Sequence, residues 1–118
     1  MSETKDNNFQ DCMKQMIPIQ DAMEVISGKW KLLIVVSLML GNKRFGSIQN
    51  TIPKITPKVL SKELKELEQH QLVARTVVSE YPSVTEYALT PYGHTLTGIM
   101  RELHIWGSNH RELLFGKE

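Results

Sequence analysis

The sequence predicts one mainly α-helical domain with a small β-hairpin, an α+β fold. Two observations lead to this prediction. Apolar residues recur at helical spacing in several segments, and two short segments rich in β-branched residues lie between the last two of these. A length of 118 residues, of which 41% are hydrophobic, suits a single domain with its own core.

The first part of the chain is expected to be a flexible polar arm, residues 1–16, ahead of a folded domain over residues 17–114. The domain begins with Pro18 to Ser27, which is weakly amphipathic and stops before Gly28. Trp30 to Leu40 is apolar on nearly all sides, which is typical of a short helix buried in a core. A surface helix followed by a buried helix is therefore predicted.

A short helix is predicted next, from Phe45 to Ile52. Phe45, Ile48 and Ile52 are spaced i, i+3 and i+7, so they share one face of a two-turn helix. Pro53 ends this helix because proline has no backbone N–H to continue the hydrogen-bond ladder.

The most informative pattern lies in the helix predicted from Pro57 to about His70. Thr56 is a favourable N-cap, and proline suits the first helical position that follows it. The apolar stripe of this helix consists of Leu60, Leu64 and Leu67. The opposite face carries Lys58, Lys62, Lys65 and Gln69, and the glutamates Glu63, Glu66 and Glu68 flank it. This segregation predicts a helix that rests on the core and presents cations to solvent.

A hairpin and a long helix complete the predicted domain. Leu72 to Val78 and Val84 to Leu89 are expected to pair as strands across a loop over residues 79–83. Thr90-Pro91 then repeats the helix-start signal, and the last helix of the domain falls at about residues 91–114. Its apolar stripe contains Leu96, Ile99, Met100, Leu103, Trp106 and Leu113.

The charge distribution is uneven although the formal net charge is only +1. Residues 41–65 hold six basic residues against one glutamate, a local net charge of +5, so the rest of the chain carries −4. A basic stretch of this kind is the electrostatic pattern expected of a surface that meets a phosphate backbone. The alternative at this stage is an ordinary solvated lysine-rich helix face.

Cysteine usage and hydropathy indicate a soluble cytoplasmic protein. Cys12 is the single cysteine, which excludes an intramolecular disulfide framework. The polar first residues do not form a signal peptide, and the longest apolar run, Leu32 to Leu40, is far shorter than the roughly 20 residues that span a bilayer.

The element order is the plan of a winged helix-turn-helix domain: a short helix, a turn, a second helix and then a hairpin. In that plan the second helix enters the DNA major groove, and neighbouring groups contact phosphates. The side chains expected to bind DNA are Lys43, Arg44, Thr56, Pro57, Lys58, Ser61, Lys62, Lys65 and Arg75. The tip of the predicted hairpin has Glu80 and no basic residue, so we expect it to contribute less than the helix.

Short motifs spread over about residues 17–107 carry a family resemblance. Gly28-Lys29-Trp30-Lys31 precedes the buried helix, and Lys43-Arg44-Phe45 occupies the turn. The remaining motifs are Ile52-Pro53-Lys54-Ile55-Thr56, Val59-Leu60-Ser61, Leu64-Lys65-Glu66-Leu67-Glu68, Leu72-Val73-Ala74-Arg75, Glu86-Tyr87-Ala88-Leu89-Thr90, Gly93 and Trp106-Gly107. In this order and spacing the chain resembles the HxlR-type family of bacterial winged-helix transcriptional regulators, relatives of the MarR group.

The resemblance implies a homodimer that binds a pseudo-palindromic operator on double-stranded DNA, with one recognition helix in each of two successive major grooves. It also implies that the first and last helices form most of the dimer interface. The residues expected there are Ile19, Met23, Leu96, Ile99, Met100, Leu103 and Trp106. Packing within one chain is the alternative for any one of them.

Many members of the family carry a cysteine directly before the proline of the first helix, and in some it senses oxidants or electrophiles. Ile17 occupies that place here, and Cys12 lies five residues earlier. Cys12 is therefore a candidate redox thiol, with an incidental thiol as the alternative, because no motif beside it ensures a depressed pKa.

Two other classes of function are weighed against the regulator. One is a winged-helix module whose basic face binds a protein or RNA without operator specificity. The other is an enzyme, which the sequence does not favour because it has no nucleophile elbow, phosphate-binding glycine loop or helical histidine pair. No cofactor and no metal are predicted, and any small-molecule effector is left unassigned.

Overall fold

The computed structural model describes residues 2–117, with side chains from residue 8 to residue 117. This part of the chain folds into helices, one short 3-10 turn and a two-stranded antiparallel hairpin. In chain order the elements are α1 (Ser2–Ile26), α2 (Lys31–Met39), α3 (Phe45–Thr51), α4 (Pro57–Gln69), β1 (Val73–Glu80), β2 (Ser83–Leu89), the 3-10 turn (Gly93–Thr95) and α5 (Leu96–Phe115). The predicted fold class, mainly α with one small hairpin, is confirmed.

The core lies where α2, α3, α4, the base of the hairpin and the start of α5 meet. All three leucines predicted for the apolar stripe of α4 belong to it, and none of them is more than 1% exposed. The buried apolar side chains are Ile34, Val35, Leu38, Ile48, Ile52, Ile55, Leu60, Leu64, Leu67, Leu72, Val73 and Leu96. Burial of this stripe fixes which face of α4 points away from the core.

α1 is a helix over most of the segment expected to be a flexible arm. It extends from Ser2 to Ile26 and passes through Pro18 without a break. Residue 1 of the predicted arm lies outside the described residues. No glycine or proline interrupts the chain before Pro18, so local propensity favours helix even where the side chains of residues 8–16 are exposed.

α2 is buried on one side and exposed on the other. Ile34 and Val35 are almost completely covered, whereas Leu33 and Met39 are each 45% exposed. The predicted burial of this helix in a core is therefore confirmed for one face, whereas its other face is exposed in this chain. The apolar composition of α2 does not say which neighbour covers each face, and the described residues supply a neighbour for only one of them.

The junction between the hairpin and α5 is held by Thr90. Its hydroxyl donates to the carbonyl of Gln71 at 2.7 Å and accepts from the backbone N–H of Gly93 at 2.8 Å. A Cβ on Gly93 would collide with the carbonyl oxygen of Leu72, so a residue without a side chain is required there. The predicted helix start at Thr90-Pro91 therefore begins with a 3-10 turn packed tightly on the loop before β1.

The hairpin is longer than predicted and packs beside the turn that precedes α3. Its strands extend to Glu80 and Ser83, so the predicted loop over 79–83 shrinks to Tyr81 and Pro82. The backbone N–H of Tyr87 on β2 donates to the carbonyl of Lys43 at 2.7 Å. This bond places the basic turn before α3 next to the second strand.

Candidate nucleic-acid interface

The turn between α3 and α4 sets the direction of α4. Ile52 and Ile55 in this turn are buried, at 5% and 6% exposure, and anchor it to the core. Lys54 between them has a φ of 68°, a left-handed conformation that reverses the chain within few residues. The two helices are therefore joined by a tight, apolar-anchored turn.

α4 begins at a capped N-terminus. The hydroxyl of Thr56 accepts a hydrogen bond from the backbone N–H of Val59 at 3.2 Å, and Pro57 occupies the first helical position. The predicted N-cap is thus confirmed. Along the outer face of this helix, Lys58, Ser61, Lys62 and Lys65 are all exposed.

Two further basic groups lie beside α4. Lys43 and Arg44 are exposed immediately before α3, and Arg75 is exposed on β1. Arg75 pairs with Tyr87 across the hairpin. Every residue predicted to bind DNA, including Thr56 and Pro57, is on the surface of the described structure.

A cleft of about 260 Å³ separates α4 from the hairpin. Lys65 and Ser61 line it from the helix, and Arg75 lines it from β1. Its other lining residues are Leu64, Glu68 and Tyr87. The structure therefore brings two cations from different elements, Lys65 and Arg75, to the two sides of one groove, an arrangement suited to a phosphate group.

A partly buried ion pair, which was not predicted from the sequence, supports α4 from the core side. The ammonium of Lys31 on α2 lies 2.6 Å from a carboxylate oxygen of Glu63 and 2.6 Å from one of Glu66. Burial lowers the pKa of Lys31, but hydrogen bonds and charge from the two glutamates outweigh it, and the net pKa is raised above its ordinary value. A lone lysine in an apolar helix was the available sequence signal.

The ion pair with Lys31 lowers the pKa of the Glu66 carboxyl. The hydrogen bond from Lys31 holds the pKa of Glu66 below its ordinary value against a smaller opposing effect of desolvation. The charges of Lys31, Lys62 and His70 act in the same direction. Glu66 is therefore ionised at neutral pH, the condition under which α4 would bind DNA.

The residues predicted for a dimer interface divide into two groups. Ile19 and Met23 on α1, and Ile99, Leu103 and Trp106 on α5, are exposed apolar side chains. Leu96 departs from the prediction because it is only 6% exposed and belongs to the core of the chain, where the tight junction at Gly93 draws the start of α5 inward. Met100 is half-buried against the same core.

Further exposed apolar side chains extend the two helices beyond the predicted set. They are Phe9, Met13, Met16 and Ile17 on α1, and Ile105, Leu113, Leu114 and Phe115 on α5. Trp106 also stacks on His110, with 4.9 Å between the ring centroids. Cys12, the candidate redox thiol, is exposed on α1.

Among the side chains of residues 8–117, no group of three or more metal-ligating residues is placed to hold an ion. In the same part of the chain, no helix combines the length and apolar character needed to cross a membrane.

The structure contains a short helix, a tight turn, a capped second helix with an outward basic face, and an adjoining hairpin. This arrangement defines a winged helix-turn-helix DNA-binding protein. Comparison with known proteins identifies the family. The model of the HxlR-like helix-turn-helix family matches residues 25–114. The chain belongs to this family.

Individual relatives agree with this assignment. The HTH-type transcriptional regulator YtcD of Bacillus subtilis is 39% identical over 103 residues, which cover 87% of this chain and 82% of that protein. The structure of the redox regulator HypR in its reduced form is similar with a TM-score of 0.75 and 35% identity, covering 85% of this chain and 99% of HypR. The structure of the reduced form of YodB from B. subtilis is similar with a TM-score of 0.73 and 35% identity. The match covers 86% of this chain and 96% of YodB. This chain is a DNA-binding transcriptional regulator.

Proposed function

We propose that the protein binds a pseudo-palindromic operator as a homodimer, with α4 of each protomer in the major groove. The outer face of α4 is the observation that carries this proposal. Its leucine stripe is buried, so Lys58, Ser61, Lys62 and Lys65 face solvent together. Lysines and a hydroxyl at the start of a helix suit contacts with phosphates and base edges.

The flanking cations fit the same docking. With α4 in the groove, Lys43 and Arg44 lie on the side of the preceding turn, and Arg75 lies across the cleft on β1. Contacts on both sides of a recognition helix grip the backbone and fix its orientation. We assign these three residues to phosphates and the outer face of α4 to both phosphates and bases.

Dimerisation is supported by the apolar side chains that the chain leaves uncovered. The exposed faces of α1 and α5 carry large apolar groups such as Met23, Leu103 and Trp106, which a single chain does not bury. The radius of gyration is 18.7 Å, whereas a compact domain of this length has about 13–14 Å. An elongated chain with uncovered apolar helices is expected of one half of a symmetric assembly.

The proposed role consists of binding alone, so we propose no catalytic activity. A regulator of this kind acts where the chromosome is, and we propose the cytoplasm as its location. HypR is a redox regulator by name. Cys12 on α1 stays the candidate thiol for such a signal in this chain.

The test of groove binding is the salt dependence of DNA affinity. Duplexes are selected from a random library by the wild-type protein, and binding is measured by fluorescence anisotropy at several salt concentrations. Replacing Lys58, Lys62 and Lys65 by alanine is expected to abolish the preference for the selected duplex. Each lysine that contacts a phosphate lowers the magnitude of the salt slope by about one when it is removed.

The matched control removes the same charge from elsewhere. Lys14, Lys29 and Lys117 are exposed lysines outside the basic stretch, and their replacement by alanine should leave the selected-duplex preference intact. Equal affinity of the α4 triple variant and wild type would rule out groove binding by α4. Selection of no preferred duplex by the wild-type protein would favour the protein- or RNA-binding module instead.

A further inference from the structure

Lys31 is an unusual core residue. Among the side chains of residues 8–117, the buried polar ones are Lys31 and Ser37, and Lys31 is the charged member of this pair. An ammonium removed from water is strongly unfavourable unless carboxylates pair with it and accept its hydrogen bonds. Lys31 lies in the first turn of α2, where the other buried residues except Ser37 are apolar, so its charge points to a role beyond packing.

The ammonium of Lys31 contacts two successive turns of α4. Glu63 and Glu66 are three residues apart on that helix, and each has a carboxylate oxygen at 2.6 Å from Nζ. Apolar packing through the leucine stripe is non-directional and tolerates small rotations of a helix. Two charge-assisted hydrogen bonds from one buried atom are directional, so they fix both the rotation and the axial position of α4.

The clamped glutamates alternate with the cations proposed to meet DNA. Glu63 follows Lys62 directly, and Glu66 follows Lys65. Successive residues lie about 100° apart around a helix, so each glutamate has a fixed angle to the lysine before it. A rotation of α4 that moves the glutamates therefore moves the lysines by the same angle. The orientation of the outer face is thereby tied to a point inside the core.

We propose that Lys31 is a positioning residue for operator recognition: it holds α4 in the rotation that sets its side chains against the bases, without touching DNA. The inference rests on the proposed function, in which α4 enters the major groove. Phosphate contacts by flexible lysines tolerate a shifted helix, whereas base contacts require donors at set positions. Loss of Lys31 should therefore reduce discrimination between sequences more than it reduces binding to DNA in general.

The experiment compares Lys31→Met with Lys29→Met. Both remove one positive charge, and Lys29 is exposed two residues earlier with its ammonium 4.8 Å from the ring centre of Trp30. Affinities for the selected duplex and for a scrambled duplex of equal length are measured by anisotropy. In Lys31→Met the ratio of the two affinities should fall about tenfold or more relative to Lys29→Met, as for the loss of a base-pair contact. Equal ratios in the two variants would overturn the proposal.

A third variant separates positioning from stability. Lys31→Met combined with Glu63→Gln and Glu66→Gln leaves no uncompensated carboxylate, so it should fold even where the single variant does not, as circular dichroism would show. We expect its thermal stability to recover and its ratio of affinities to stay low. A wild-type ratio in this variant would mean that the ion pair only stabilises the fold, and the proposal would be abandoned.

Failure of the proposed function has a different signature. If the alanine variant of Lys58, Lys62 and Lys65 keeps wild-type discrimination, α4 does not read DNA and the proposed function is wrong. If that variant loses discrimination while Lys31→Met retains it, only the positioning role fails.

Discussion

Several single residues hold two elements of this chain together, and another side chain in the same place would disrupt that contact. Thr90 uses one hydroxyl to bond two segments, and Gly93 allows the 3-10 turn to touch the backbone of Leu72. Lys31 fills a core position with charge and is balanced by Glu63 and Glu66. In each case one side chain, or its absence, fixes how two elements are placed relative to each other. Burial of that residue alone would not fix this placement.

Acid sensitivity is expected at the residue scale from Glu66. Its pKa in the folded chain lies below the ordinary value of 4.5, so the charged carboxylate stabilises the fold fully above that pH. This stabilisation is lost as the pH falls from 4.5 through the lower folded value. Urea unfolding measured over this range should show a weaker pH dependence in Glu66→Gln than in wild type.

The control for this experiment is Glu68→Gln. Glu68 is an exposed carboxylate on the same helix and does not contact Lys31 in the ion pair. It should follow the wild-type dependence on pH. If Glu66→Gln and wild type lose stability in parallel as the pH falls, the ion pair with Lys31 does not account for the effect.

At the scale of elements, α4 combines three supports of different physical kinds. Its leucine stripe is held by apolar burial, its N-terminus by the hydroxyl of Thr56, and its flank by the ammonium of Lys31. Burial provides most of the free energy, but the two polar supports determine where the helix begins and how it is rotated. A helix that recognises a sequence needs all three kinds of restraint.

Removal of the N-cap tests this account. Thr56→Ala should lower the free energy of unfolding by about 1 kcal/mol, because the N–H of Val59 loses its side-chain acceptor. Thr56→Ser keeps a hydroxyl at the same place and should remain close to wild type. Chemical denaturation of the three proteins gives the comparison, and equal stability of the alanine and serine variants would contradict a capping role.

For the whole molecule, the decisive feature is the apolar surface left over after the chain has folded. The core accounts for α2 to α4 and the hairpin, whereas α1 and most of α5 keep their large apolar side chains in solvent. The exposed side of α2, with Leu33 and Met39, adds to this surface. A second copy of the chain would cover such surfaces by symmetry, as proposed above.

A charge placed on the apolar stripe of α5 should separate the protomers. Leu103→Glu introduces a carboxylate where the proposed partner packs, so we expect sedimentation to shift toward the monomer and DNA affinity to fall. His104→Glu, also exposed but on another side of α5, is the matched control and should stay dimeric. Unchanged sedimentation of Leu103→Glu would exclude this stripe from the interface.

The sequence by itself determined the order and type of the elements from α2 to α5, because each is encoded locally. The spacing of Leu60, Leu64 and Leu67 predicted the buried face of α4, and Thr56-Pro57 predicted where it begins. The outward basic face followed from the same periodicity. Local pattern was sufficient wherever one element had a single clear apolar side.

The tertiary structure decided what depends on residues far apart in the chain. The pairing of Lys31 with Glu63 and Glu66 bridges more than thirty positions, and no local pattern contains it. Leu96 is buried in the core because Gly93 packs closely on Leu72. Its side chain therefore faces the core and not the surface predicted for the interface. Periodicity tells which residues share a face of a helix, and only the packed chain tells what that face meets.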